Sequence, residues 1–430
     1  MKKIIVLSVV GILIAGLAVA AFLLLRRPQV ITFSDGAKVT LLAVDYGKRH
    51  VPPAGSAATG ARRARVITTT NDTLVLWVRQ DYAPGQQWES FQYYVYDEAG
   101  TACNMSYGYG NNGRGSEVTG VQIDSFPRRQ GKFIVRIQEQ GNGGQEMSDQ
   151  KFVISNPARK SFADWTTEPL PDTKDDDDVS VTLTKLMAGA AMPYTRNNDD
   201  PDDPMNKGVQ ATFHVERNGK PVTNWEPVSV ETSDATGNHC EGWVAQNNWD
   251  SGDDTVLYQY ALWPDEPAWK IRLEFSQQSD FADNELWSVT NVPVQAGRQQ
   301  DMWNYSRNGQ ASSAVAEADL NGYHLKIFPA KQFTDMPPNS EPQGGMVIET
   351  QPRLADGMRL TIAKLTDEQG NDIGFWNGGW NGGQDATYYQ FQLRDVAGAT
   401  NLNLTIALHK SRYFEFTVKP EKAPASDAAQ

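Results

Sequence analysis

The sequence predicts an all-β chain: an N-terminal transmembrane helix followed by three tandem antiparallel β-sandwich domains. Three observations predict it. Short segments of alternating apolar and polar residues recur throughout, with no amphipathic helix of convincing length between them. One pattern of strand, acidic turn and aromatic stretch occurs three times at a nearly constant interval. The first 27 residues differ in kind from all that follow.

Residues 1–27 read MKKIIVLSVVGILIAGLAVAAFLLLRR, in which Ile4 to Leu25 is an uncharged, largely apolar run of 22 residues. As a helix rising ~1.5 Å per residue it spans roughly 33 Å, the thickness of a bilayer core. Lys2 and Lys3 precede it as in a secretory leader, but the run outlasts the ~7–15 apolar residues of a cleaved signal. The favoured reading is an uncleaved signal anchor over residues 1–27. Cleavage at AVAA (Ala18 to Ala21) is the alternative. The bias of positive charge puts the amino terminus in the cytoplasm. That predicts a single-pass protein of the cytoplasmic membrane, attached through residues 4–25, with residues 28–430 outside the cytoplasm.

The chain of 430 residues has room for about three domains. Its 52 acidic against 39 basic residues give a net charge of -13. That excludes the basic face a nucleic-acid binder presents to phosphates.

The three copies read YYVYDEAGTACNMSYGYGNNG from Tyr93, VSVETSDATGNHCEGWVAQNNWDSG from Val228, and LTIAKLTDEQGNDIGFWNGGWNGG from Leu360. Their turn glycines, Gly100, Gly237 and Gly370, lie 137 and 133 residues apart. Other strands recur in step. Openers are VTLLAVDYG, VTLTKLMAG and YHLKIFPA; second strands are TLVLWVRQ, VQATFHVER and GMVIETQPR. Each unit then closes on a strand: KFVISNP, LWSVTNVPV or YFEFTVKP. Several short strands per unit, with turn signals between, suggest an Ig-like sandwich in the broad sense. The division predicted is repeat 1 at 30–157, a linker at 158–179, repeat 2 at 180–295, a linker at 296–319, repeat 3 at 320–420 and a disordered tail at 421–430. A short helix is expected near Ser312 to Leu320.

The repeat bears on each candidate site. Cys103 and Cys240 both lie three residues after a turn glycine, where the third copy has Ile373. They therefore read as core thiols in different domains, with no disulfide expected. His214, His324 and His409 fall within strands, and His239 beside Cys240 would point to the opposite face; no metal site is expected. The acidic runs at Asp175 to Asp178 and Asp199 to Asp203 lack the spacing of a Ca²⁺ loop and read as solvated, a loose Ca²⁺ site being the alternative. No GxSxG elbow or phosphate loop occurs, so neither catalysis nor a cofactor is expected. The aromatic stretches offer Trp376, Trp380, Trp243, Trp249, Tyr107 and Tyr109. They either cap the ends of the cores or form flat platforms that stack on sugars or grip a protein. The expected function is thus a non-catalytic envelope scaffold or adhesion-type binder of an unknown protein or glycan partner. A carbohydrate-binding protein, or a glycoside hydrolase with carboxylates meeting in space, is the alternative.

The stretch from Ile31 to Pro53, ITFSDGAKVTLLAVDYGKRHVPP, carries FSDG, VTLL and YGK followed by His50. It resembles the juxtamembrane segment of uncharacterised membrane-anchored bacterial envelope proteins. The resemblance covers Phe33 to His50 and implies a bacterial exported protein; it brings no catalytic residues. Asp35-Gly36 reads as a hairpin turn.

Overall fold

The computed structural model describes residues 29–423 except 55–64, 86–88, 112–114, 142–143, 159–160, 192–206, 243, 248–253, 259–261, 301–312, 337–340 and 383–384. The anchor expected at residues 4–25 and the tail from 424 onward lie outside the described residues. Among the described residues no helix is long and apolar enough to cross a membrane. Among the described residues the regular structure is nearly all strand, arranged in several largely antiparallel sheets.

The first unit contains β1 (Val30–Thr32), β2 (Lys38–His50), β3 (Ile67–Asp81), β4 (Glu89–Tyr96), β5 (Ala102–Asn111), β6 (Ser116–Ile123), β7 (Lys132–Gly141), β8 (Gly144–Met147) and β9 (Phe152–Ser155). One sheet runs β1-β2-β3-β6; the other runs β5-β4-β7, with β8 and β9 both on β7. Their facing sides pack Leu74, Leu76 and Val78 against Phe91, Tyr93 and Val95, all buried in one core. This is the period-two burial expected of strands with one inward face.

The chain continues through β10 (Asp172–Asp176), β11 (Val179–Ala191), β12 (Lys207–Arg217), β13 (Lys220–Pro221), β14 (Trp225–Asp234), β15 (His239–Gly242), β16 (Val244–Asn247), β17 (Asp254–Tyr258) and β18 (Trp269–Gln277). After these come β19 (Leu286–Gly297), β20 (Ala316–Leu320), β21 (Tyr323–Ile327), β22 (Ala330–Phe333), β23 (Gly344–Gln351), β24 (Met358–Asp367), β25 (Phe375–Gly382), β26 (Thr387–Leu393), β27 (Asn401–Lys410), β28 (Arg412–Val418) and β29 (Glu421–Lys422). The openers, second strands and turns recur as the sequence repeat requires. The hairpins β1-β2, β10-β11 and β20-β21 correspond, as do the pairs β4-β7, β14-β18 and β24-β27.

The acidic turn is one structure built three times. In DEAGT, DATGN and DEQGN the aspartate N–H donates to the carbonyl four residues on, at 3.0, 3.1 and 2.9 Å. Its Oδ1 accepts the backbone N–H of that same residue, at 2.6, 3.1 and 2.8 Å. The glycines then take φ of +86°, +89° and +90°, the left-handed region that suits a residue without Cβ. Cys240 and Ile373, three residues later, are both buried, consistent with one apolar slot. The side chain of Cys103 lies outside the described residues.

The domain boundaries need correction at the closing strands. In the first unit β9 pairs with β7, within its own sheet. In the second, β18 pairs instead with β28, from the far end of the chain, through Trp269↔Val418 to Phe275↔Arg412. In the third, β27 pairs with β19, which directly follows β18 in sequence. Units two and three have exchanged their closing strands. The second unit is therefore discontinuous, and Leu286–Gly297, expected to close repeat 2, belongs to the third unit. The physical reason lies at Ser411, the one residue between β27 and β28. A hairpin needs a loop of at least about two residues, so β28 cannot fold back on β27 and runs on into the neighbouring sheet. There Phe414 packs edge-on against Phe275, ring centroids 5.7 Å apart.

Both proposed linkers also contain structure. Asp172–Asp176 pairs with β11. Its acidic run is engaged by basic groups, Arg412 with Asp177 at 2.8 Å and Arg217 with Asp178 at 2.5 Å. Ala316–Leu320, where a short helix was expected, is a strand paired with β21. A tight Asn321-Gly322 turn, with positive φ at both residues, sets that hairpin and overrides any helical tendency.

The first unit docks on the second through Ser125–Arg129. Ser125 Oγ donates to the His239 carbonyl (2.7 Å), and the Phe126 N–H donates to Asn238 Oδ1 (3.1 Å). Arg129 Nε pairs with Glu266 at 2.8 Å. The buried apolar residues of these two units form one contiguous cluster, while the third unit has its own.

Candidate functional site

The exchange of strands brings units two and three together around Glu274 on β18, which is only 2% exposed. Its carboxylate accepts Arg359 Nε at 2.6 Å and a second, short bond from Arg359 Nη2. Ser229 Oγ donates at 2.9 Å, and Ser411 Oγ at the crossing donates as well. Burial alone would raise the Glu274 pKa. The Arg359 and Ser411 bonds outweigh it and hold the group below its ordinary value. Beside this pair the Arg272 guanidinium lies 3.9 Å from the Tyr413 ring centroid, and the Tyr413 hydroxyl donates to Asp356 at 2.8 Å.

Next to this junction is a cleft of about 770 Å³. Its floor comes from Leu360 and Ile362 of β24, and its far wall from Phe375, Tyr389 and Phe391 of β25 and β26. The second unit contributes Glu226 and Gln278, and the segment before β24 contributes Arg353 and Asp356. The cleft lies where β25 leaves the side of β24 for β26. In unit one the equivalent stretch, β5, pairs with β4 throughout; in unit two it divides, β15 pairing with β14 and β16 crossing to β17 of the opposite sheet. In unit three the described pairing of β25 is with β26, in the opposite sheet, and β24 keeps only the isolated bridge Thr366↔Asp372 on that side. The sandwich is thereby left open between β24 and β25.

Two acids in the cleft are driven apart. Glu226 is raised by burial, while Asp356 is lowered, first by the Tyr413 hydroxyl and also by Arg272. Burial pushes the Tyr389 hydroxyl up to about 12, so it stays a neutral donor at physiological pH. The set offers aromatic rings, guanidinium groups and a carboxyl to a polar ligand.

The residues singled out from sequence lie elsewhere or outside the described part. Trp376 stands on β25 opposite Gln392, on the other face from Phe375 and Asn377, which line the cleft. It is half-buried, with the Arg394 guanidinium 4.9 Å from its ring centroid. Trp380 lies on the same strand opposite Tyr389, after a bulge at Gly378. Tyr107 and Tyr109 lie on β5 opposite Tyr93 and Phe91. The side chains of Trp380, Tyr107 and Tyr109 lie outside the described residues, as do Trp243 and Trp249 entirely. The aromatic stretches of units one and three sit in different sheets and are not brought together. Sequence reasoning missed Phe375, Tyr389, Phe391, Arg353 and Arg359. The inward period of TYYQFQL was a readable signal for two of them.

Comparison with protein-family models gives no match, and comparison with curated proteins gives none either. The function is argued from these residues.

Proposed function

We propose that the chain is a non-catalytic scaffold or adhesion-type binding protein of a bacterial cell envelope. In this reading three tandem Ig-like sandwiches stand outside the cytoplasm on an N-terminal signal anchor, and the cleft between units two and three grips a glycan segment. The observation that carries the reading is the cleft. Its volume of about 770 Å³ lies within the ~300–1,000 Å³ usual for ligand sites. Three aromatic side chains line it beside Arg353, Asp356 and Glu226, the combination that stacks on sugar rings and hydrogen-bonds hydroxyls. The pair of buried Glu274 with Arg359 and the exchanged strands fix the two walls relative to each other, as a binding site requires. Asp356 is tied to Tyr413 and Arg272, which supports binding over acid–base turnover.

The test is a calorimetric titration of the full-length chain with envelope polysaccharides and peptidoglycan fragments. Phe375→Ala/Tyr389→Ala is the cleft variant and Trp376→Ala the outer-face variant. Saturable binding lost in the cleft variant and kept in Trp376→Ala is the expected result. Loss in Trp376→Ala alone would move the site to the outer face of β25. No heat with any glycan from folded protein would reject the glycan reading. Release of new reducing ends would reject the non-catalytic one.

A further inference from the structure

In the first unit, one end of the sandwich core is acidic. Glu89 opens β4, and Glu139 lies on β7 opposite Phe91. Glu146 on β8 is the direct cross-strand partner of Glu139. Asp35 sits in the β1–β2 turn above them. Asp35, Glu89 and Glu139 each present a carboxylate oxygen, and these lie within 4.8 Å of one another. Like charges directly opposite on a sheet are destabilising, and burying them is costlier still. Yet Glu89 is 0% and Glu139 6% exposed.

A second observation points to a missing partner. Glu89 Oε2 accepts the Ala83 N–H at 3.0 Å, but its Oε1 is buried with no hydrogen bond. None of the described ion pairs involves Glu89, Glu139 or Glu146. Burial, together with a hydrogen bond that protonated Glu139 donates to Asp35 and the charges of Asp35, Glu89 and Glu146, pushes Glu139 up to about 8.

The internal repeat supplies a control. Registered through the paired strands, the positions of Glu89 and Glu139 are Trp225 and Phe275 in unit two, and Met358 and Leu408 in unit three. The fold is satisfied by apolar side chains there, as the sandwich end of an ordinary core would be. Only unit one carries carboxylates, on strands that otherwise read inward as Phe91, Tyr93, Val95 and Phe133, Val135, Ile137. The acids answer to something other than the fold.

We propose that Asp35, Glu89 and Glu139, with Glu146 beside them, form a site for a hard divalent cation, Ca²⁺. Ca²⁺ takes six to eight oxygens at ~2.3–2.6 Å, so oxygens on opposite sides of one ion stand up to ~5 Å apart, which the cluster matches. Water completes the shell on the exposed Asp35 side. Glu89 Oε1 gains the partner it lacks. Because Asp35 belongs to the hairpin of one sheet and Glu89 and Glu139 to the other, the ion clamps the two sheets together.

The experiment is thermal unfolding of the full chain in Ca²⁺ and in chelator, with equilibrium dialysis to count bound ions. Ca²⁺ at a hundredfold excess over Kd is expected to raise Tm by roughly 5–10 °C, with one ion bound per chain. Glu89→Met/Glu139→Leu, the pair that unit three carries, is expected to fold, to melt no lower than wild type in chelator, and to lose the Ca²⁺ shift. Glu89→Gln/Glu139→Gln is expected to lose it too. Asp175→Asn/Asp177→Asn is expected to keep it. An unchanged shift in both glutamate variants, or no shift in wild type at millimolar Ca²⁺, would overturn the proposal.

Discussion

Unit one and unit two are built from equivalent strands, and they close differently. In unit one, ten residues separate β7 from its partner β9. In unit two, 134 residues separate β18 from β28, and an entire third unit lies between them. By loop-closure entropy alone the longer connection costs ~2 kcal/mol more. What offsets it is the apolar face of β28: Phe414, Phe416 and Val418 are all buried in the second core. The difference teaches that a closing strand is specified by its inward face and not by which unit it follows in sequence. Each sandwich takes the strand whose inward residues fill its core, and the one-residue connector keeps β28 off β27.

The comparison can be broken most severely by removing the donated strand. A chain ending at Lys410 loses the edge strand that pairs with β18 and the buried Phe414 and Phe416. It is expected to lose the unfolding transition of unit two while that of unit one survives, as read by calorimetry and limited proteolysis. Phe414→Ala alone is expected to cost ~3–5 kcal/mol, the usual range for a buried aromatic. Survival of unit two in the truncated chain would show that β19 can return to close it.

A smaller effect is expected at the crossing. Glu274→Gln leaves Arg359 facing a neutral amide, and loss should fall at the lower end of ~3–5 kcal/mol because Arg359 keeps 38% exposure. The sign with pH is fixed by the lowered Glu274 pKa. Its stabilisation is present above the ordinary glutamate value of 4.5 and is lost as pH falls through the lower folded value. Wild type is expected to weaken in that acid window, and Glu274→Gln to be flat across it. Parallel pH profiles would remove Glu274 from the account.

The smallest effect sharpens the likeness between the turns. In units two and three the residue four after the aspartate is Asn, whose side chain donates to the second carboxylate oxygen, at 2.8 and 2.7 Å. Unit one has Thr101 instead, and Asp97 Oδ2 is buried without a partner, its pKa raised by burial. Thr101→Asn is expected to stabilise unit one by ~0.5–1.5 kcal/mol at neutral pH. The gain should shrink as pH falls and Asp97 takes up a proton. A denaturant titration at two pH values checks both parts.

The repeat, the strands and the turn were legible because they rest on local chemistry. Asp97, Asp234 and Asp367 with their glycines announce one turn, and alternation announces strands. The destination of a strand is not local. LWSVTNVPV and YFEFTVKP look alike as closers, and nothing within either names its sheet. One sign was readable: NLNLTIALHK passes into RYFEFTV with only Ser411 between, too short a connection for a hairpin. The switch of β25 to the opposite sheet left no such sign, so the cleft was hidden while WNGGWNGG drew attention. Glu89 and Glu139 were readable as acids on the inward parity of apolar strands, a signal that long acidic runs elsewhere in the chain obscured.

The single residue at Ser411 also sets a schedule. A chain that emerges amino terminus first can finish unit one early. It then holds β18 with a bare edge until β28 arrives. During that interval the nearest strand of the right kind is β19, eight residues downstream and free to fold back as a hairpin. The native arrangement requires that pairing to be avoided or undone once the last strand appears. Refolding of the intact chain should therefore show a slow step that a chain ending at residue 158 lacks.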